Sequence, residues 1–199
     1  MPKIRRIGIL GGTFNPIHLG HLVLAEQAKQ LLNLEKVIFI PTNLPPHKRH
    51  KTLASAQERY HMVSLAIKSN PYFDVSNIEL KRGGVSYSVE TIGKLKSLFS
   101  QANLYFIVGS DFLKEFSTWK DIGELRKICK FVVAQRPGYP FKNLPAGRQE
   151  LLKNTRTIKV TVLDISSTDI RKRIQTKQSI SYLVPEEVRK YILKKGLYQ

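Results

Sequence analysis

Gly11-Gly12-Thr13-Phe14-Asn15-Pro16-Ile17-His18-Leu19-Gly20-His21 combines the residue types that phosphoryl chemistry needs. Glycines let the backbone come close to a polyphosphate and point N–H groups at it. An apolar run, Ile4 to Leu10, stands before the segment and helical spacing begins after it. The segment therefore runs from a strand through a tight turn into a helix, whose N-terminus carries partial positive charge. His18 and His21 lie three residues apart and share one face of the first helical turn. Two imidazoles placed there can donate hydrogen bonds to phosphoryl oxygens as negative charge shifts during transfer. The pattern is neither a Walker loop, because no Gly-Lys-Ser/Thr follows, nor the glycine fingerprint of dinucleotide-binding dehydrogenases. Without the histidines, the glycines would read as well as a plain turn before a capped helix.

Zinc is the competing chemistry, since His18/His21 and His47/His50 both have ligand-like spacing. Neither pair has an acidic or cysteine partner, and both sit among basic residues, so phosphate is the preferred reading. Three more stretches follow apolar β-branched runs. Pro41-Thr42-Asn43-Leu44-Pro45-Pro46-His47-Lys48 comes after the second, Gly109-Ser110-Asp111 (continuing to Trp119) after a later one, and Ile165-Ser166-Ser167-Thr168-Asp169-Ile170-Arg171 after the last. In the last stretch, hydroxyls and backbone N–H groups at a helix start, with an arginine one turn on, suit a triphosphate tail. Singly, these are a proline loop, an N-cap and a helix charge.

In this order the four stretches resemble the His-x-Gly-His nucleotidyltransferases. The long form Gly-Gly-Thr-Phe-Asn-Pro-x-His-x-Gly-His is similar to their nicotinate-nucleotide adenylyltransferase branch, with Asn15 where many members carry Asp. The resemblance extends to Tyr182-Leu183-Val184-Pro185 and Gly196-Leu197-Tyr198, and so covers nearly the whole chain. It implies that ATP meets Gly11, Gly12, Thr13, Phe14, His18, His21, Gly109, Asp111, Ile165, Ser167, Thr168 and Arg171. His18, His21, Lys48 and Arg171 would be catalytic, with Asp111 on the adenosine ribose. Arg82-Gly83-Gly84-Val85-Ser86-Tyr87-Ser88 resembles the segment that holds the pyridine nucleotide, with Ser88 where Thr is usual. Thr13, Lys48, Tyr87, Ser88 and Trp119 would then bind nicotinate mononucleotide, Trp119 stacking on its ring. Magnesium would arrive on the phosphates of ATP, and the sequence shows no carboxylate cage that would hold it as a resident ion.

The elements that must position these residues follow from periodicity. Strands are expected at Ile4–Leu10, Val37–Ile40, Phe73–Ile78, Asn103–Val108, Lys130–Ala134 and Thr157–Leu163. Helices are expected at Leu19–Leu32, from a Ser55/Glu58 capping box to about Lys68, at Ser88–Phe99 and Asp121–Ile128, and from near Ser167. Another lies between Pro185 and Gly196. Arg136–Arg148, rich in proline and glycine, reads as a loop. The alternation gives an α/β fold: a Rossmann-like, doubly wound parallel sheet covered by helices on both faces. One domain spans 1–199, with a short helical extension from about 166.

Its 199 residues include one cysteine, Cys129, so no internal disulfide is possible, which fits a reducing, cytoplasmic setting. Behind the basic Met1–Arg6 the apolar run Ile7–Leu10 is too short for a signal peptide or a membrane span. Lys plus Arg number 33 against 15 acidic residues, a net charge of +18, which draws anions of any kind. A nucleic-acid-binding module is the rival from another class. It leaves the ordered motifs unexplained, and no interleaved aromatic and basic platform supports it. Within the superfamily, nicotinamide mononucleotide, phosphopantetheine or another phosphate ester are the alternative acceptors. Oligomeric state is not readable from the chain.

Overall fold

The computed structural model describes residues 5–45, 53–109, 119–135, 155–161 and 163–199. Their elements are β1 (Arg6–Gly12), α1 (Leu19–Leu32), β2 (Lys36–Pro41), α2 (Ala56–Ile67), β3 (Phe73–Val75), α3 (Ile78–Arg82), α4 (Ser88–Leu98), β4 (Asn103–Gly109), α5 (Ile122–Ile128), β5 (Lys130–Gln135), β6 (Thr155–Lys159), α6 (Ser167–Gln175) and α7 (Glu186–Lys195). The strands form a six-stranded sheet in the order β3-β2-β1-β4-β5-β6. This is the Rossmann-like α/β architecture expected from the alternation. Strand order reverses between β1 and β4, where such sheets leave a crevice for ligands at the carboxyl ends.

The chain divides into two compact units, Met1–Gly11 with Leu24–Ile38 and Tyr87–Val162, and Gly12–Val23 with Phe39–Ser86 and Leu163–Gln199. In the first unit β1 runs parallel to β4 from Arg6↔Asn103 to Leu10↔Ile107. β4 and β5 pair in parallel to Gly109↔Ala134, and β5 and β6 to Gln135↔Lys159. Ile7, Ile9, Leu104, Phe106, Ile107, Phe131, Val132 and Val133 are all buried, the continuous apolar pattern of parallel strands covered on both faces. Gly8 serves packing: a Cβ there would lie 2.7 Å from Leu34 Cδ1.

In the second unit α2 begins as its capping box requires, Ser55 Oγ accepting from Glu58 N–H while the Glu58 carboxylate accepts from Ser55 N–H. Met62, Val63 and Ile67 on α2, and Val188 and Ile192 on α7, are buried. The His61 and Tyr191 rings of these two helices lie 4.6 Å apart.

Two expected strands come out shorter. β3 ends at Val75 rather than Ile78, because Ser76 Oγ accepts from Ile78 N–H and α3 starts there. β6 occupies Thr155–Lys159 rather than Thr157–Leu163. The pairing described runs to Lys159 opposite Gln135, and beyond Lys159 Gln27 of α1 captures the backbone. Thr161 N–H donates to Gln27 Oε1 (2.6 Å) and Gln27 Nε2 donates to Thr161 Oγ1 (2.8 Å). The expected Arg136–Arg148 loop lies outside the described residues.

Cys129 is the C-cap of α5, and its thiol donates to Leu125 O. Burial pushes the thiol up to about 12, so it stays neutral at physiological pH and is a poor nucleophile. A thiol reagent at pH 8 should leave the native protein unlabelled and react with one equivalent after denaturation. Stoichiometric labelling of the native state within minutes would contradict that environment.

Candidate active site

The motif that opened the sequence reading is built entirely from residues of the second unit after Gly11. The two glycines lie inside β1 instead of making the turn expected of them. The left-handed residue is Phe14, at φ 49°. Gly12 is needed for a different reason: a Cβ on it would sit 3.0 Å from the Phe14 ring, which folds back over it. That ring meets Phe39 at 5.9 Å and the His21 imidazole edge-on at 5.1 Å. Thr42 N–H, just past β2, donates to Gly12 O at 2.9 Å and ties the two strand ends together.

His18 and His21 stack, their ring centroids 3.7 Å apart and the planes inclined by 31°. His18 N–H donates to His21 Nδ1 at 3.2 Å. A nitrogen that accepts carries no proton, so neutral His21 bears its hydrogen on Nε2 and is a donor through that atom. Gly20 makes room for the stack, since a Cβ there would lie 3.1 Å from His18 Nδ1. Leu19 N–H at the start of α1 donates to Leu183 O at 3.0 Å, fixing the direction in which the helix leaves the loop.

Five side chains grip the backbone of this loop or carry its hydrogen bonds onward. Arg59 is fully buried and sends three donors to three segments: Nη1 to Thr13 O (2.7 Å), Nη2 to Asn43 O (2.9 Å) and Nε to Ala54 O (3.0 Å). Burial draws its pKa below the ordinary guanidinium value, opposed by the nearby Tyr198 and Glu79. Asn15 Oδ1 accepts from Ala54 N–H (3.1 Å) and from the Tyr198 hydroxyl (2.8 Å). Arg171 Nη1 donates to Asn15 O (2.9 Å) and its Nη2 to Thr168 Oγ1 (3.3 Å). Ser167 donates its hydroxyl to Pro16 O at 2.8 Å. Having one O–H, Ser167 spends it on the loop. Ser166 is the N-cap there, accepting from Asp169 N–H. Ile165, half-buried, donates its N–H to Leu163 O just before that cap.

The stretch after β2 and the expected acceptor segment are laced together. Asn43 N–H donates to Ser86 Oγ (3.0 Å), Asn43 Nδ2 to Gly84 O (2.9 Å) and Ser86 N–H to Leu44 O (3.0 Å). Gly83 and Gly84 adopt φ of 72° and 65°, conformations a side chain would strain.

Tyr87, Ser88, Gly109 and Trp119 belong to the first unit. Tyr87 is the N-cap of α4, whose first residue is Ser88, so Ser88 stands at a helix start. Lys120 places Nζ 4.5 Å over the Tyr87 ring and 3.3 Å from Glu90 Oε1, drawing the Trp119 segment to the head of α4. Trp119 is half-buried, 5.8 Å from the Phe106 ring. Gly109 ends β4 opposite Ala134. Lys48 and Asp111 lie outside the described residues.

Three residues of the site were not singled out from sequence as holding the loop: Arg59, Tyr198 and, except as a substitution for Asp, Asn15. Arg59 did leave a signal. It shares the helical stripe of Met62, Val63 and Ile67, and an arginine on an apolar stripe must find buried acceptors. Tyr198 stands in a stretch the resemblance covers, but nothing there points to Asn15, 183 positions away.

The Cytidylyltransferase-like family model matches residues 9–173 of the chain. Fold and site thus define a nucleotidyltransferase. The chain is 46% identical over 199 residues to the probable nicotinate-nucleotide adenylyltransferase of Desulfitobacterium hafniense strain Y51, covering 98% of this chain and 96% of the relative. It is also 46% identical to that of Moorella thermoacetica, covering 98% and 92%. Among solved structures, Plasmodium falciparum nicotinic acid mononucleotide adenylyltransferase complexed with NaAD shares the fold at a TM-score of 0.80. It is 19% identical and 98% of this chain and 97% of that one are covered. The chain belongs to the nicotinate-nucleotide adenylyltransferase family.

Proposed function

We propose that the chain joins ATP to nicotinate mononucleotide, giving nicotinate adenine dinucleotide and pyrophosphate in NAD synthesis. The observation that carries the reading is the stacked His18–His21 pair at the head of α1, with the Nε2 proton of His21 defined by the His18 N–H bond to Nδ1. An oxygen of the mononucleotide 5′-phosphate attacks the α-phosphorus of ATP. The bond from that phosphorus to the α,β-bridging oxygen breaks, and pyrophosphate leaves with the electron pair. The attacking oxygen is already anionic at neutral pH, so no general base is required. Positioning and charge stabilisation then do the catalysis.

In this scheme His18 and His21 donate to the α and bridging oxygens. Arg171 presents the guanidinium donors not used on Asn15 and Thr168, and the N–H groups at the head of α6 receive the terminal phosphates. Gly11, Gly12, Thr13, Phe14, Gly109 and Ile165 keep the contacts with ATP that the family resemblance gives them. Lys48 and Asp111 keep the roles the family resemblance gives them, on the phosphates and the adenosine ribose. Tyr87, Ser88 and Trp119 hold the pyridine nucleotide.

Magnesium fits this site as a passenger on the substrate. Phosphate oxygens and water are its ordinary partners. It would supply charge neutralisation on the leaving pyrophosphate. No helix among the described residues is long and apolar enough to cross a membrane, and we place the enzyme in the cytoplasm, where a lone buried thiol is at home.

The test is pyrophosphate release from ATP and magnesium with nicotinate and nicotinamide mononucleotides side by side. Release with nicotinate mononucleotide alone is expected. Equal rates would remove the carboxylate preference, and no release with either would send the assignment to another phosphate-ester acceptor.

A further inference from the structure

Within the second unit, the tail after α7 returns to the phosphate loop. Gly196, at φ 59°, reverses the chain at the helix end, and Leu197 N–H donates to Ile192 O at 3.1 Å. Tyr198 then stands at φ 70°, a left-handed conformation that a bulky residue keeps only when its surroundings impose it. Its side chain is 8% exposed and its hydroxyl donates to Asn15 Oδ1 at 2.8 Å. Asn15 is itself only 4% exposed. Its side-chain oxygen holds two donors, Tyr198 and Ala54 N–H, while its backbone oxygen takes Arg171 Nη1 at 2.9 Å.

One residue thus joins the tail, the start of α2 and the α6 arginine, three positions before His18. Burial raises the phenol above its ordinary range, against the pull of Arg171 and Arg59, so the hydroxyl stays protonated and remains a donor. An asparagine oxygen only accepts, which makes a neutral phenol the matching partner.

We propose that Tyr198 is a positioning residue for adenylyl transfer, acting through Asn15 on the loop that carries His18 and His21 and on Arg171. The proposal rests on the transferase reading above. Tyr198 touches no reacting atom; it fixes where the donors point, and transfer is sensitive to displacements of an ångström.

The experiment compares wild type, Tyr198→Phe, Asn15→Ala and the double variant by steady-state kinetics, well below every melting midpoint. Tyr198→Phe keeps the ring and removes one hydroxyl. Its kcat is expected to fall roughly tenfold to hundredfold, with KM for ATP within about twofold and the melting midpoint lowered by a few degrees at most. In the Asn15→Ala background the same change should add nothing further to the loss, because the two groups act as a unit. A Tyr198→Phe kcat within twofold of wild type, whatever its midpoint, overturns the proposal. So does an equal loss in both backgrounds, which would mean that the phenol does not act through Asn15. A wild-type enzyme inert with both mononucleotides is a separate failure, that of the transferase reading, and the proposal falls with it.

Discussion

A His21→Ala variant is expected to lose roughly 30- to 900-fold in turnover, about 2 to 4 kcal/mol of barrier, while KM for ATP moves little. On the proposed mechanism the effect falls on turnover, because the imidazole would be aimed at charge that develops in transfer, while ground-state ATP would keep other anchors, Arg171 and the head of α6 among them. Two features of the structure sharpen the expectation. The His18 N–H bond to Nδ1 leaves Nε2 as the donor, so a residue unable to present a donor from that point cannot substitute. The 3.7 Å stack means that His21 also holds His18, so the two single losses should sum to more than the loss in the double variant. His21→Asn would restore a donor at shorter reach and recover part of the rate. Turnover of His21→Ala within threefold of wild type would remove the imidazole from the chemistry. An equal rise in KM with kcat unchanged would make it a binding group only.

The second large effect is one of stability. Arg59→Met should lower folding stability by about 3 to 5 kcal/mol, since the carbonyls of Thr13, Asn43 and Ala54 lose their donors together inside the protein. For a chain of this size that is a melting midpoint lower by roughly 6 °C or more. A well-packed methionine recovers apolar contact but cannot hydrogen-bond a carbonyl, which is why the hydrophobic replacement is not neutral here. Arg59→Lys should fall between the two. Its compact ammonium keeps the charge but lacks the planar fork that reaches three acceptors on different segments. Thermal melts of the three proteins decide the matter: a methionine variant as stable as wild type would mean that those carbonyls find other donors. Surviving Arg59→Met protein should also be slower, because the guanidinium restrains Thr13 on the loop that leads to His18 and His21, which we propose meets the nucleotide.

Much of this fold could be read along the chain because its signals are local. α1 is found at Leu19–Leu32 as its apolar spacing requires, and the Ser55/Glu58 box starts α2 where its two reciprocal hydrogen bonds predict. Pro185 and Gly196 bracket α7 through φ preferences that belong to the residues themselves. The strands before Gly109 and Gln135 are announced by unbroken apolar runs. Where readings failed, a non-local partner had intervened. The last strand looked longer because Val160 is apolar, but Gln27 claims the backbone after Lys159. The glycines at the head of the motif promised a turn. In the structure they belong to β1, Phe14 makes the reversal, and Gly12 is small so that the Phe14 ring can cover it.

The site divides in the same way. Residue type and spacing alone determined that His18 and His21 share the first turn of a helix that follows a strand and a pair of glycines, and that Ser167 and Arg171 attend the start of another. Those are relations within one turn or between adjacent residues, which backbone geometry enforces wherever the helix forms. Only the tertiary structure decided that Arg59 is the buried cation beneath the loop, that Ser167 gives its hydroxyl to Pro16, and that Tyr198 closes on Asn15. Each of these bonds joins residues far apart in the chain. Which donor meets which carbonyl is chosen by the packing that buries both, because a buried polar group must be satisfied by whatever the fold brings within reach.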